Sequence, residues 1–148
     1  MSQIAFLFPG QGAQYLGMGK DFFDSFAIAR ETFLEADELL QCHLSRMIFE
    51  GSESNLTETR NSQSAIFVLS IAILRVLQQQ MPTCVPSVCA GLSLGEYSAL
   101  CASQRMNFSE CLRLVHLRGS LLNDACEQTE GGMAAVLGVD DNVVEEVC

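Results

Sequence analysis

The sequence predicts an α/β fold with parallel strand pairing. Three observations lead there. Two short apolar runs, IAFLF (residues 4–8) and VPSVCAG (residues 85–91), each give way to a glycine turn. Between and after them lie longer stretches whose apolar residues recur at spacings of three and four, the helical period. Strand-like and helix-like segments alternate, as in a parallel sheet with helices packed on it. The length, 148 residues, suits one ordinary domain, and 49% apolar against 18% charged residues leaves enough material for a sizeable core.

The elements follow in order. IAFLF reads as a buried strand stopped by Pro9-Gly10. SFAIARETFLEADELL (residues 25–40) reads as an amphipathic helix with its acids outward. ESNLTETRNS (residues 52–61) is polar and reads as a loop. QSAIFVLSIAILRVLQQQ (residues 63–80) reads as a long, largely buried helix. VPSVCAG is the second strand, and LGEYSALCAS (residues 94–103) is a helix opening directly after Ser93. Ser109 is the expected N-cap of a helix reaching Ala125. GGMAAVLGV (residues 131–139) reads as a third strand, and DDNVVEEVC begins a helix with two acids in its first turn. That last strand and partial helix do not close a unit of their own, so the reading expects residues 129–148 to open something whose remainder is missing.

Composition excludes several classes of partner. The formal net charge is −10, with scattered cations and Lys20 as the only lysine. No basic patch exists for nucleic acid or an anionic membrane surface. The longest apolar stretch, AIFVLSIAIL (residues 65–74), is ended by Arg75, so no membrane span is expected. The N-terminus lacks a signal-peptide pattern. Seven cysteines, Cys42, Cys84, Cys89, Cys101, Cys111, Cys126 and Cys148, form no C-x-x-C, and several sit in apolar runs. They read as reduced thiols of a cytoplasmic protein, and the two histidines, His43 and His116, have no zinc-like spacing with them.

The chemistry concentrates at Gly91-Leu92-Ser93-Leu94-Gly95, a G-x-S-x-G between a predicted strand and a predicted helix. A sharp strand-to-helix turn leaves no room for a Cβ on either side of the serine, which is held exposed and strained. The Leu94 N–H, first in the following helix, faces the same space and is placed to stabilise an oxyanion. The plain alternative is a junction that happens to carry a small polar residue. FPGQGAQYLGMGK (residues 8–20) is neither a dinucleotide fingerprint nor a P-loop, because the third glycine and the Lys-Ser/Thr pair are missing. It is a loop at the strand edge where α/β sheets bind ligands, or a simple turn. Arg118, in CLRLVHLRGSLL (residues 111–122), is either a snorkelling surface residue or a cation awaiting an anion. Arg113 faces elsewhere and reads as structural. A serine nucleophile needs a base. Neither His43 nor His116 has chemical company that marks it as one.

FPGQGAQ, GLSLGEYSAL, LVHLRG and GGMAAVLGVDD, in this order and spacing, resemble the malonyl-CoA:acyl carrier protein transacylases of type II fatty acid biosynthesis. The resemblance runs the length of the chain and covers the N-terminal half of such an enzyme. It implies that Ser93 takes malonyl from coenzyme A as an ester and passes it to the phosphopantetheine thiol of acyl carrier protein. It implies further that the backbone N–H groups of Gln11 and Leu94 form the oxyanion hole, that Arg118 binds the malonyl carboxylate, and that Gln63 lies near the pocket. No cofactor is called for. The implied fold is a larger hydrolase-like subdomain, of which residues 1–128 are the N-terminal part, and a ferredoxin-like small subdomain begun by residues 129–148. The complete enzyme is expected to be a monomer, and the family's catalytic histidine is expected beyond residue 148. Two departures stand out: Leu92 where the family most often has histidine, and Ser64 in place of a usual proline. A serine esterase of α/β-hydrolase type and a non-catalytic half-domain are the competing readings.

Overall fold

The computed structural model describes residues 3–129, 136 and 138–147. Among these, two parallel strands, β1 (Ala5–Phe8) and β2 (Val88–Gly91), pair in the register Ala5↔Val88 through Phe8↔Gly91. Eight helices accompany them: α1 (Lys20–Ser25), α2 (Ala27–Leu40), α3 (Leu44–Glu50), α4 (Glu53–Thr57), α5 (Thr59–Gln80), α6 (Gly95–Ala102), α7 (Phe108–Thr129) and α8 (Asp141–Val147). The α/β class with a parallel sheet is as the sequence predicts.

Helix α5 is the centre of the core. Ala65, Ile66, Phe67, Val68, Ile71 and Ala72 on it are all buried. They meet Phe33 and Ala36 of α2 and Leu112 and Val115 of α7 in one continuous cluster. Phe67 stacks on Phe108 with ring centroids 5.7 Å apart. Arg75 emerges from the apolar run, lies over the Phe108 ring and pairs with Glu35 at 2.7 Å, tying α5 to α2. α5 is long and apolar enough to cross a membrane, but 61% of its apolar window is buried by the rest of the fold, the behaviour of a core helix.

Several boundaries differ from the prediction. Helix 25–40 is broken at Phe26, whose extended backbone (φ −125°, ψ 120°) closes α1 through its N–H to the Phe22 carbonyl. The polar stretch 52–61, predicted as a loop, holds α4 and the first turn of α5. Ser52 caps α4 by accepting from the Asn55 N–H at 3.2 Å, and Leu56 is buried, so one apolar anchor and one cap outweigh polar composition. β2 starts at Val88 and not at 85, because Pro86 has no N–H and the Ser87 N–H to the Ile4 carbonyl opens the ladder. The cap of α7 is Asn107 and not Ser109. The Asn107 carboxamide oxygen accepts from the Glu110 N–H at 2.9 Å, and the Glu110 carboxylate accepts from the Asn107 N–H at 3.2 Å, a reciprocal capping box. α7 then runs to Thr129, past the predicted end at Ala125. The predicted third strand at residues 131–139 falls largely outside the described residues; the helix after it is α8.

Candidate active site

Both strands end at the same edge of the sheet, Phe8 beside Gly91. The two glycine-rich loops are therefore brought together at the C-terminal ends of parallel strands, where ligands bind in open α/β sheets. The G-x-S-x-G turn is built as its sequence requires. A Cβ on Gly91 would overlap the carbonyl group of Gly95, and one on Gly95 would overlap the Phe8 carbonyl. Between them Ser93 sits at φ 53°, left-handed backbone that a non-glycine residue adopts under strain. Gly10 is packed as tightly: a Cβ there would lie 2.8 Å from the Leu92 carbonyl oxygen, so the 8–12 loop rests on the elbow. The Leu94 side chain is fully buried and anchors the start of α6 in the core. Neither the Leu94 N–H nor the Gln11 N–H donates to an acceptor among the described residues. Ser93 itself is exposed.

Arg118 reaches this hydroxyl from α7. Its Nη2 donates to Ser93 Oγ at 2.7 Å and its Nη1 to Gln63 Oε1 at 2.6 Å. The reach depends on Gly119, where a Cβ would stand 3.1 Å from the Arg60 Cα and the Thr59 carbonyl oxygen of α5. That close approach of α7 to α5 sets Arg118 against Gln63, which is 1% exposed. Among the described residues no carboxylate is paired with Arg118; the ion pairs go to Lys20, Arg46, Arg60 and Arg75. The guanidinium is half-buried, held by two neutral acceptors, and carries a charge that no described carboxylate neutralises, next to Ser93.

A directional chain of hydrogen bonds continues from it. Arginine can only donate, so Gln63 must present its oxygen to Arg118 and its amide nitrogen to Gln11. Gln63 Nε2 donates to Gln11 Oε1 at 3.4 Å, and Gln11 Nε2 donates to Thr59 Oγ1 at 3.2 Å. The loop bearing Gln11 is thereby tied to α5 through its side chain. The Tyr97 ring lies under the guanidinium, with Arg118 Cζ 6.0 Å from its centroid. Sequence reasoning missed Thr59 and Tyr97. Tyr97 stands four residues after Ser93, one helical turn along α6, and that spacing could have shown it.

The structure brings Ser93, Arg118, Gln63, Gln11 and Leu94 together and leaves both histidines elsewhere. His116 Nδ1 is 3.3 Å from Ser64 Oγ, the serine standing where the resemblance expects proline. His43 precedes α3. Both histidines line a separate cavity of about 150 Å³ with Cys42 and Arg60. Arg113 is exposed. Leu92 is 77% exposed beside Ser93. Among the described residues no group of three or more His, Cys, Asp or Glu side chains is placed to hold a metal ion. The six described cysteines are all free. Burial pushes the Cys111 thiol up to about 12 and raises Cys101 as well, which favours the protonated thiol at both.

A strained serine at a strand-to-helix elbow with a guanidinium on its hydroxyl is an arrangement suited to acyl transfer. The chain belongs to the acyl transferase domain family, which matches residues 5–147. Among curated relatives it is 46% identical over 147 residues to the malonyl CoA-acyl carrier protein transacylase of Bacillus subtilis, an alignment covering 99% of this chain and 46% of that protein. Among solved structures, the malonyl-CoA:acyl carrier protein transacylase of Helicobacter pylori superposes with a TM-score of 0.90 at 35% identity, covering 100% of this chain and 48% of that one. A malonyl-transacylase solved in complex with a type II polyketide synthase acyl-carrier protein superposes with a TM-score of 0.85 at 36% identity, over 99% of this chain and 47% of that one. The chain thus spans about half the length of the relatives it matches.

Proposed function

We propose that this chain carries the nucleophile and carboxylate-recognition half of a malonyl-CoA:acyl carrier protein transacylase. Ser93 Oγ attacks the thioester carbonyl of malonyl-CoA. The tetrahedral oxyanion is held by the N–H groups of Leu94 and Gln11, with the N-terminal dipole of α6 behind them. Collapse breaks the C–S bond, coenzyme A leaves as the thiol with the proton taken from Ser93, and malonyl remains as a serine ester. The phosphopantetheine thiol of acyl carrier protein then attacks that ester, and Ser93 recovers its proton. The base that moves these protons is assigned to the part of the relatives that this chain does not span, since neither His43 nor His116 is near Ser93.

The observation that carries the reading is the Arg118 contact with Ser93 and Gln63. A lone guanidinium beside an acyl-accepting hydroxyl suits a substrate whose acyl group ends in a carboxylate, and a fork of donors matches it as a bidentate pair. An esterase has no use for that cation. On the same reading, residues 1–128 belong to a hydrolase-like subdomain and residues 129–148 open a ferredoxin-like one. The partners are acyl carrier protein and coenzyme A thioesters, with no cofactor. The setting is the cytoplasm, in keeping with the free thiols of the six described cysteines. The test is covalent: malonyl-CoA should leave a malonyl adduct on the peptide containing Ser93, seen by mass spectrometry and absent in Ser93→Ala. An adduct that persists in Ser93→Ala overturns the assignment.

A further inference from the structure

The loop between β1 and α1 carries Gln11 between two glycines. Gly12 takes left-handed backbone at φ 104°, and a glycine on each side leaves the direction of the Gln11 N–H free to vary unless something outside the loop fixes it. Backbone bonding does not fix it. Among the described residues, the hydrogen bonds joining residues 9–14 to other elements run only through the Gln11 side chain. That side chain has two partners on α5, Gln63 and Thr59. They differ in kind. Gln63 Oε1 is held by Arg118 Nη1, so a carboxylate that takes both terminal nitrogens of the guanidinium competes with Gln63 for it. The Gln63 tie to Gln11, 3.4 Å long, thus hangs on a contact that an acidic acyl group disturbs. The Thr59 tie does not pass through Arg118. Thr59 Oγ1 accepts from Gln11 Nε2 at 3.2 Å and has no other partner among the described residues. The backbone of Thr59 is itself pinned, because its carbonyl oxygen lies against Gly119 of α7, where a Cβ would stand 3.1 Å away.

We propose that Thr59 is a positioning residue: its hydroxyl holds the Gln11 loop so that the Gln11 N–H stays available to the oxyanion formed at Ser93 while a carboxylate occupies Arg118. The inference rests on the proposed function for the role of that N–H, and it adds Thr59 to the residues on which acylation depends. The Gly119 contact then serves two ends. It sets Arg118 against Gln63, and it fixes Thr59, so the cation and the oxyanion loop are registered to one approach of α7 to α5. The polarity of the chain of bonds demands an acceptor at position 59. Gln11 gives its oxygen to Gln63 and is left with its amide nitrogen to place, which a hydroxyl oxygen receives and a hydrocarbon does not.

The experiment compares Thr59→Val, which keeps the β-branched shape and removes the acceptor, with Thr59→Ser, which keeps the acceptor and loses the methyl. The N-cap of α5 is Glu58, and the Thr59 side chain caps nothing, so both variants should keep the urea midpoint of the parent chain. The order parameter of the Gln11 N–H, from nitrogen relaxation, should stay near the rigid value of about 0.85 in the parent and in Thr59→Ser and fall below about 0.6 in Thr59→Val. In single-turnover acylation of Ser93 by malonyl-CoA, Thr59→Val should lower the rate constant roughly tenfold, because loosening an oxyanion donor costs less than the roughly 10²–10³-fold of removing one. The half-saturating malonyl-CoA concentration should stay within about twofold, and Thr59→Ser should match the parent on both measures. An unchanged Gln11 order parameter in Thr59→Val, an unchanged rate constant, a change confined to the half-saturating concentration, or an equal fall in Thr59→Ser overturns the proposal. A parent chain that takes no malonyl on Ser93 is a failure of the proposed function instead, and the order parameters then still decide whether Thr59 holds the loop.

Discussion

Replacing Arg118 by alanine should separate malonyl from acetyl. The two acyl groups differ by one carboxylate, which is costly to bring into an apolar pocket unless a cation meets it. Removing one partner of a buried charge pair costs about 2–5 kcal/mol. Arg118 is only half-buried, so solvent screens part of that, and the lower end, about 2–3 kcal/mol, applies. In kcat/KM for malonyl-CoA this is a fall of roughly 30- to 150-fold. Acetyl-CoA should change by less than about threefold, because it offers nothing for the guanidinium to hold. Arg118→Lys should recover only part of the malonyl rate: a point charge cannot donate to Gln63 and to a carboxylate in one plane as the fork does. The assay is kcat/KM for both thioesters in the enzyme supplied with its base, or single-turnover acylation of Ser93 in this chain. An equal fall for both substrates would show that Arg118 acts only through packing and would refute the reasoning.

Turnover by this chain alone should be slower by about 10²–10⁴-fold than that of a transacylase with its base, the usual worth of general-base help; rates within tenfold of the complete enzyme would return His43 or His116 to consideration. Gly95→Ala should lower the urea midpoint by an amount corresponding to about 3 kcal/mol or more, because its Cβ meets the Phe8 carbonyl and backbone cannot step aside. A midpoint shift below about 1 kcal/mol would show that the elbow relaxes. Stability should also decline above pH 9. An unfolded Cys111 ionises near its ordinary value of 9.0, whereas burial holds the folded thiol to about 12, so between these values the unfolded state binds fewer protons and gains as pH rises. Cys111→Ala should flatten that decline in urea titrations from pH 8 to 11, and an unchanged slope would count against the burial effect.

Much of this protein was legible in one dimension because the relevant constraints are local. A glycine two residues either side of a serine reports a turn too tight for a Cβ, whatever surrounds it, and the structure places overlaps at both positions. The apolar period of residues 63–80 marks a core helix because burial selects every third or fourth side chain. Helix ends were less legible. Ser109 and Asn107 are equally good caps by type, and only the reciprocal bond with Glu110 chooses between them. The polar residues 53–57 became a helix because Leu56 found a buried site that composition does not announce.

The sequence by itself determined the elbow, the parallel class and the residue types of the site. Tertiary structure decided what each side chain touches. Whether Arg118 snorkels or faces Ser93 depends on the approach of α7 to α5 at Gly119, a contact between residues almost sixty apart in the chain. The orientation of Gln63 and Gln11 follows from Arg118 being able only to donate, a constraint that acts once the three are adjacent. The separation of both histidines from Ser93 has the same origin. Helical period places His116 and Arg118 on different faces of α7, but only packing shows that one face meets Ser64 and the other meets Ser93.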